Sequence, residues 1–164
     1  PSLFKVFNVL FNFSFDRCLL YRGYVMIKKK GGTMFSYIML GTNDPQASYK
    51  FYAPLMRVLG HPLDGRSEKG AAWGTFKDNH TTGLCVGMPF DNLPATRGNG
   101  VMVALNAVSV DMVQELYRLA IENGGEDEGP RDYRPHYGAD FYSAYVRDPD
   151  KNKIAFVFYD ASKR

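Results

Sequence analysis

The chain is predicted to fold as an α+β protein built from two tandem βαβββ modules, and three observations predict it. An apolar, β-prone run followed by an amphipathic helical segment and three short strands occurs twice, over 35–88 and again over 101–158. A glycine stop follows each helical segment, Gly60 in the first copy and Gly124-Gly125 in the second. A joint containing Pro94 and Gly98 separates the copies, whose period of some sixty residues suits structural modules rather than a short-repeat array.

In the first module, residues 35–40 read as a strand. Asp44 supplies an N-cap and Pro45 the first helical position. The helix then spans 46–59, with Tyr52, Leu55, Met56 and Leu59 on one face, and Pro54 is expected to bend it or loosen a turn. Strands follow over 61–64, 71–76 and 83–88. In the second module, 101–105 is a strand, and Ser109 caps a helix running to Asn123 with Val113, Leu116, Tyr117 and Ala120 on its apolar face. Strands over 126–131, 141–146 and 154–158 complete it. The last two are joined by Asp148-Pro149-Asp150-Lys151-Asn152, whose Pro and Asx residues suit a tight reversal. The modules therefore cover 34–90 and 99–160, with a linker at 91–98 and a tail at 161–164.

Residues 1–33 differ in kind. They are rich in phenylalanine and carry six basic residues against one acid, while the remaining 131 residues are net −2, so the overall charge of +3 belongs to this leader. Lys5, Asn8, Asn12 and Asp16 interrupt its apolar run and no small-residue cleavage site follows, which does not fit a signal peptide. The Lys28-Lys29-Lys30-Gly31-Gly32 run just ahead of Met34 marks it instead as a non-native or upstream-encoded extension before a start at Met34 or Met26. A basic face on the folded body is missing, which excludes a nucleic-acid binder. No apolar run is long enough to span a membrane. At 45% apolar and 23% charged residues the chain can bury a core. Two cysteines, Cys18 and Cys85, make no disulfide framework, and a cytoplasmic location is expected. Fingerprints of nucleophile elbows, zinc proteases, P-loops and dinucleotide-binding turns are all missing.

The two βαβββ units, Phe51-Tyr52 in the first helix, Gly124-Gly125 after the second, Asp148-Pro149-Asp150 before the last strand and Arg134-Pro135-His136-Tyr137 ahead of an aromatic strand form one ordered set. Over residues 34–160 this set resembles the vicinal oxygen chelate superfamily, and within it the glyoxalase/bleomycin-resistance branch. The resemblance implies a strongly curved mixed sheet with helices on its outer face, a site in the cup and, often, a homodimer. It also implies a divalent metal held by His or Glu on the first and fourth strands of each module. Those positions fall on Tyr37, Cys85, Met102 and Ala155, none of which is an imidazole or carboxylate. Slipping the register by one residue yields no ligand either, so no metal or other cofactor is expected.

Strand alternation places Tyr37, Met39, Met102, Ala104, Ala155 and Val157 toward the cup. Trp73, the only tryptophan, is either a wall for a flat ligand or core. Met39 and Met102 suit an adaptable ligand surface as well as plain packing. Arg134 can grip a carboxylate or phosphate, or pin its loop through Asp132 or Asp140; His136 can donate to a carbonyl, with Tyr137, Tyr142 and Tyr145 as further polar candidates nearby. His61 and His80 read as surface residues and Cys85 as an inert thiol. The expected ligand-binding set is thus Tyr37, Met39, Trp73, Cys85, Met102, Arg134, His136, Tyr137 and Tyr142.

The function expected from this set is metal-independent binding of a planar or weakly anionic small molecule in the cup. One alternative is a glyoxalase-like lyase, isomerase or dioxygenase-type enzyme using His136, Tyr37 or Cys85 as acid–base groups. A second is a dimeric interaction module whose cavity is filled by its own side chains.

Overall fold

The computed structural model describes residues 32–163 and, before them, the backbone of a two-stranded antiparallel hairpin, β1 (Leu20–Tyr21) and β2 (Tyr24–Val25). That hairpin belongs to a separate unit, Pro1–Gly31. The reading of residues 1–33 as an extension lies outside the described residues except in these two short strands and at the last two residues, Gly32 and Thr33. Both of these belong to the main unit, where the Thr33 N–H donates to the Asn79 carbonyl at 2.8 Å.

From Gly32 onward the chain runs β3 (Tyr37–Gly41), α1 (Pro45–Val58), β4 (Leu63–Ser67), β5 (Gly70–Gly74) and β6 (Gly83–Gly87). It then runs β7 (Met102–Asn106), α2 (Val110–Glu122), β8 (Glu126–Tyr133), β9 (Phe141–Arg147) and β10 (Lys153–Tyr159). The βαβββ pattern is thus present twice. Each copy makes its own four-stranded mixed sheet, ordered β3-β6-β5-β4 and β7-β10-β9-β8, with the first and last strands of the copy parallel and the others antiparallel. The two sheets share no ladder.

Local signals set both helices. The Asp44 carboxylate accepts from the N–H groups of Gln46 and Ala47 at 3.0 Å, and Ser109 Oγ accepts from Met112 N at 3.1 Å, so each cap satisfies donors that the first turn leaves free. Gly60 and Gly124 adopt φ of 75° and 95°, left-handed values that end a helix cheaply only in glycine. Pro54 sits within a helix that remains continuous; it withholds only the bond to the carbonyl of Lys50, an exposed residue that water can serve.

Two strands differ from expectation. His61 and Pro62 do not begin β4, because the His61 N–H is used by the helix end, donating to the Met56 carbonyl at 2.9 Å, and proline has no N–H to give. In the other direction, β8 continues past Pro130 to Tyr133. It is an edge strand whose register shifts on both sides of Gly129, and an edge with bulges tolerates proline.

The helices cover one face of each sheet and also pack on each other, so both modules close a single hydrophobic core. Phe51, Tyr52, Leu55, Val113, Leu116, Ala120, Ile154 and Phe156 are all completely buried in it. Side-chain links join the modules as well. Asp150 accepts from the Asn43 N–H at 2.8 Å and from Thr42 Oγ1 at 2.5 Å, while Asn152 Nδ2 donates to the Gly41 carbonyl at 3.0 Å. The linker is tied down too, since Asn43 exchanges two hydrogen bonds with the backbone of Ala95. No helix among the described residues is long and apolar enough to cross a membrane.

Candidate functional site

With the core on one face of each sheet, alternation presents the other face as a concave surface. In the first module that face carries Tyr37, Met39, Ala72 and Cys85, with Met39 opposite Cys85 and Cys85 opposite Ala72. Tyr37 and Met39 are more than half exposed. A shallow hollow of about 390 Å³ lies here, bordered by Met39, Cys85, Lys69 and Gly87.

The second module holds the larger site, a cleft of about 1320 Å³. Its base follows from register. Gly129 pairs with Tyr145, Tyr145 with Ala155 and Ala155 with Ala104, so one aromatic ring sits in a row of residues with little or no side chain. On one side, Arg147 pairs with Lys153 and Lys153 with Met102. On the other, Phe141 pairs with Tyr159, their rings 5.3 Å apart, and Tyr137 and His136 extend the chain of rings outward at 5.6 and 4.2 Å. The linker residues Arg97–Val101 close one end and Arg134 reaches in from the loop after β8.

The cleft is electropositive. Arg97, Arg134, Arg147 and Lys153 border it against a single carboxylate, Glu128. Arg147 holds Glu128 at 2.7 Å, and that hydrogen bond keeps the Glu128 carboxyl below its usual range; Lys153 stands 3.5 Å from the same carboxylate. Lys153 and Arg134 both lie over the Tyr145 ring, at 5.5 and 5.3 Å from its centroid. The Arg134 guanidinium also donates to the Pro130 carbonyl.

The predicted site residues are therefore divided. Met102, Arg134, His136 and Tyr137 border the large cleft; Met39 and Cys85 border the shallow hollow; Tyr37 is on the same face as these two, 6.2 Å from the Phe76 ring. Trp73 and Tyr142 do not face the cup. Trp73 pairs with Leu84, is 3% exposed and stacks on Tyr49 of α1 at 5.9 Å. Tyr142 is 6% exposed and meets Gln114 of α2. Both correct the expectation of ligand contact, because an adjacent residue on a strand points to the opposite face: with Cys85 and Ala72 in the cup, Trp73 belongs to the core. The same rule shows what was missed, namely Phe141 on β9, Arg147 and Lys153 beside the hairpin turn, and Tyr159; Tyr145, a candidate from the sequence, does face the cleft.

His61 and His80 are exposed, His80 in an Asx turn with Asp78. The Cys85 thiol is pushed up by burial and, secondarily, by the charge of Asp64, which disfavours the thiolate. Alkylation of Cys85 by iodoacetamide at pH 7 is accordingly expected to run several-fold slower than that of a free cysteine peptide; mass spectrometry of the Cys85 peptide measures it, and a faster rate would contradict this assignment.

A duplicated βαβββ domain with an open concave face on each sheet is the class this geometry defines. A model of the Glyoxalase/Bleomycin resistance protein/Dioxygenase superfamily matches residues 34–156, and the chain belongs to that superfamily. Among solved structures, a glyoxalase/bleomycin resistance protein from Albidiferax ferrireducens T118 is 31% identical, with 77% of this chain and 99% of that one covered at a TM-score of 0.67. Two others share the fold. A glyoxalase/bleomycin resistance protein/dioxygenase family enzyme from Burkholderia phytofirmans PsJN is 20% identical over 76% of this chain and 97% of its own, at a TM-score of 0.56. A lactoylglutathione lyase from Agrobacterium tumefaciens is 17% identical over 79% and 96%, at a TM-score of 0.52. No curated protein matches the sequence.

The four positions to which the sequence resemblance carries the superfamily's metal ligands, Tyr37, Cys85, Met102 and Ala155, offer a phenol, a thiol with a raised pKa, a thioether and a methyl group. That donor set does not fit a divalent ion that prefers imidazole and carboxylate. Among the described residues, no three His, Cys, Asp or Glu side chains gather closely enough to hold one.

Proposed function

We propose that the protein binds a planar, weakly anionic small molecule in the cleft of its second module, without a metal ion. The observation that carries this reading is the cleft itself: four cationic side chains against one carboxylate, around a shelf made of Gly129 and Tyr145. A flat ring can lie on the shelf, edged by Phe141, Tyr137 and Tyr159, while its charge meets the arginines. The volume of about 1320 Å³ speaks against a cavity filled by its own side chains. As part of this reading, the protein acts in the cytoplasm as a homodimer, a second copy covering the apolar side chains of Tyr37, Met39 and Met102, which are 57%, 52% and 45% exposed.

The test is a thermal-shift and calorimetric screen of matched planar anions and planar cations, with and without EDTA. Anions are expected to bind with micromolar to millimolar affinity and to raise the melting temperature, cations to do neither, and EDTA to change nothing. Stoichiometric zinc, nickel, manganese or iron in the purified protein, with binding lost to EDTA, would overturn the reading.

A further inference from the structure

The large cleft has two unlike ends. At one stand Arg147 and Lys153, paired across the last hairpin, with Lys153 paired in turn to Met102 at the start of β7. At the other stand Phe141 and Tyr159, paired across the same two strands, with Tyr137 against the Phe141 ring. Six residues along β9, and six along β10, separate the two pairs, about 20 Å at the rise of an extended strand. The cleft is thus long, cationic at the linker end and aromatic at the other.

Its cations are not equally available. Arg147 is bonded at both prongs of its fork, Nη2 to Glu128 at 2.7 Å and Nη1 to the Lys151 carbonyl at 2.9 Å. Lys153 shares Glu128 at 3.5 Å. Arg134 lies over Tyr145 and donates to the Pro130 carbonyl. Arg97 differs: it is exposed, borders the cleft, and among the described residues makes no hydrogen bond, ion pair or ring contact. Its backbone is nevertheless fixed on both sides. The Ala95 N–H donates to Asn43 Oδ1 at 2.8 Å, and the Ala95 carbonyl accepts from Asn43 Nδ2 at 3.0 Å. Beyond Arg97, the Val101 N–H donates to the Gly98 carbonyl at 3.2 Å, closing a turn whose third residue, Gly100, has the φ of 87° that such a turn requires. An arginine carried between two such anchors offers its donors at a set place, with no ion pair to break first.

From this arrangement we infer that Arg97 receives the ligand's carboxylate, so that the cleft selects rod-shaped aromatic acids that carry the acid at one end. The acid lies at the linker end and the ring points toward Phe141, Tyr137 and Tyr159. This assignment rests on the anion binding proposed above for the same cleft and adds the ligand's shape, its direction and the residue that reads its charge. A carboxylate gains two parallel hydrogen bonds from a guanidinium, where a carboxamide of the same shape does not. An acid group set on the long side of a ring system, instead of at its end, cannot meet Arg97 while the rings lie along the cleft.

The experiment titrates 2-naphthoate, 1-naphthoate and 2-naphthamide into the full chain, Arg97→Gln and Arg57→Gln by isothermal titration calorimetry. The Arg97 side chain bonds nothing in the fold, so its replacement leaves the protein folded. Arg57, in the last turn of α1, is an exposed arginine outside the cleft and controls for net charge alone. Wild type is expected to bind 2-naphthoate about tenfold more tightly than 2-naphthamide. It should also prefer 2-naphthoate about fivefold over the 1-isomer, which has the same composition but a side-on acid. Arg97→Gln should weaken 2-naphthoate about tenfold and leave the amide within about twofold, while Arg57→Gln changes neither by more than about twofold. Equal binding of the two acids by wild type, equal loss of acid and amide in Arg97→Gln, or an equal effect of the two arginine substitutions overturns the assignment while the binding reading stands. Failure of 2-naphthoate to bind wild type at millimolar concentration overturns the assignment together with that reading.

Discussion

Replacing Asp148 by alanine is expected to destabilise the protein by about 2–4 kcal/mol, because the buried donors that its carboxylate satisfies lose their acceptor. Asp148 is completely buried in the turn between β9 and β10. Its carboxylate accepts from Tyr52 Oη at 2.7 Å, from the Asn152 N–H at 2.8 Å and from Asn152 Nδ2 at 2.9 Å, and Asn152 in turn holds the Gly41 carbonyl. The network ties α1 and β3 of the first module to the last hairpin of the second. Without the carboxylate the equally buried Tyr52 hydroxyl has no acceptor. Urea denaturation measures the loss; a cost below about 1 kcal/mol would show that the network is not anchoring the modules.

The same pair sets a pH dependence. Burial first, then the Asp148 charge, pushes the Tyr52 phenol well above its usual 10. Its folded value is raised, so its contribution to stability is complete below pH 10 and is lost as the pH rises from 10 toward the folded value. Asp148 is also raised, by burial, against the opposing hydrogen bonds of Asn152 and Tyr52. Its contribution is therefore complete below the ordinary carboxylate range and is lost as the pH climbs through the raised value. A Tyr52→Phe protein should show a shallower stability slope above pH 10, the remainder belonging to Tyr117 and Tyr133, whose phenols are also raised, and an unchanged slope would show that Tyr52 does not set it.

Substituting Gly70 by alanine should cost about 3 kcal/mol or more, while Gly65→Ala in the neighbouring strand should stay within about 0.5 kcal/mol. A Cβ on Gly70 would lie 2.2 Å from the Val86 carbonyl oxygen and 2.7 Å from Gly87 Cα, both backbone atoms of the paired strand that cannot rotate away. A Cβ on Gly65 would meet nothing within 4 Å. Thermal melts of the two variants side by side supply the measurement, and similar melting temperatures would mean that β5 and β6 can separate without penalty.

Much of this fold was legible because its signals are local. Asp44-Pro45 and Ser109 start the helices, Gly60 and Gly124 stop them, and the apolar spacing between them needs no partner to be read. The site was harder, because a side chain's face depends on strand parity and parity depends on the register each turn imposes. The turn from Asp148 to Asn152 pairs Arg147 with Lys153, and this alone places Tyr145 opposite Ala155 and sends Tyr142 to the core. Phe141 and Arg147 could have been found by starting from Ala155 and counting back through that turn. Trp73 was misplaced for a similar reason, since a large aromatic suits either face and only its neighbour Ala72, opposite Cys85, decides.

Core and cup are written on alternate residues of the same strands, with Tyr142, Ala144 and Val146 holding the helices while Phe141, Tyr145 and Arg147 face the cleft. Selection can therefore rewrite the odd-numbered positions of β9 with little effect on how the domain holds together. A duplicated scaffold of this kind gives each lineage two hollows to specialise independently. In this chain one hollow is large and lined with charge, and the other is shallow.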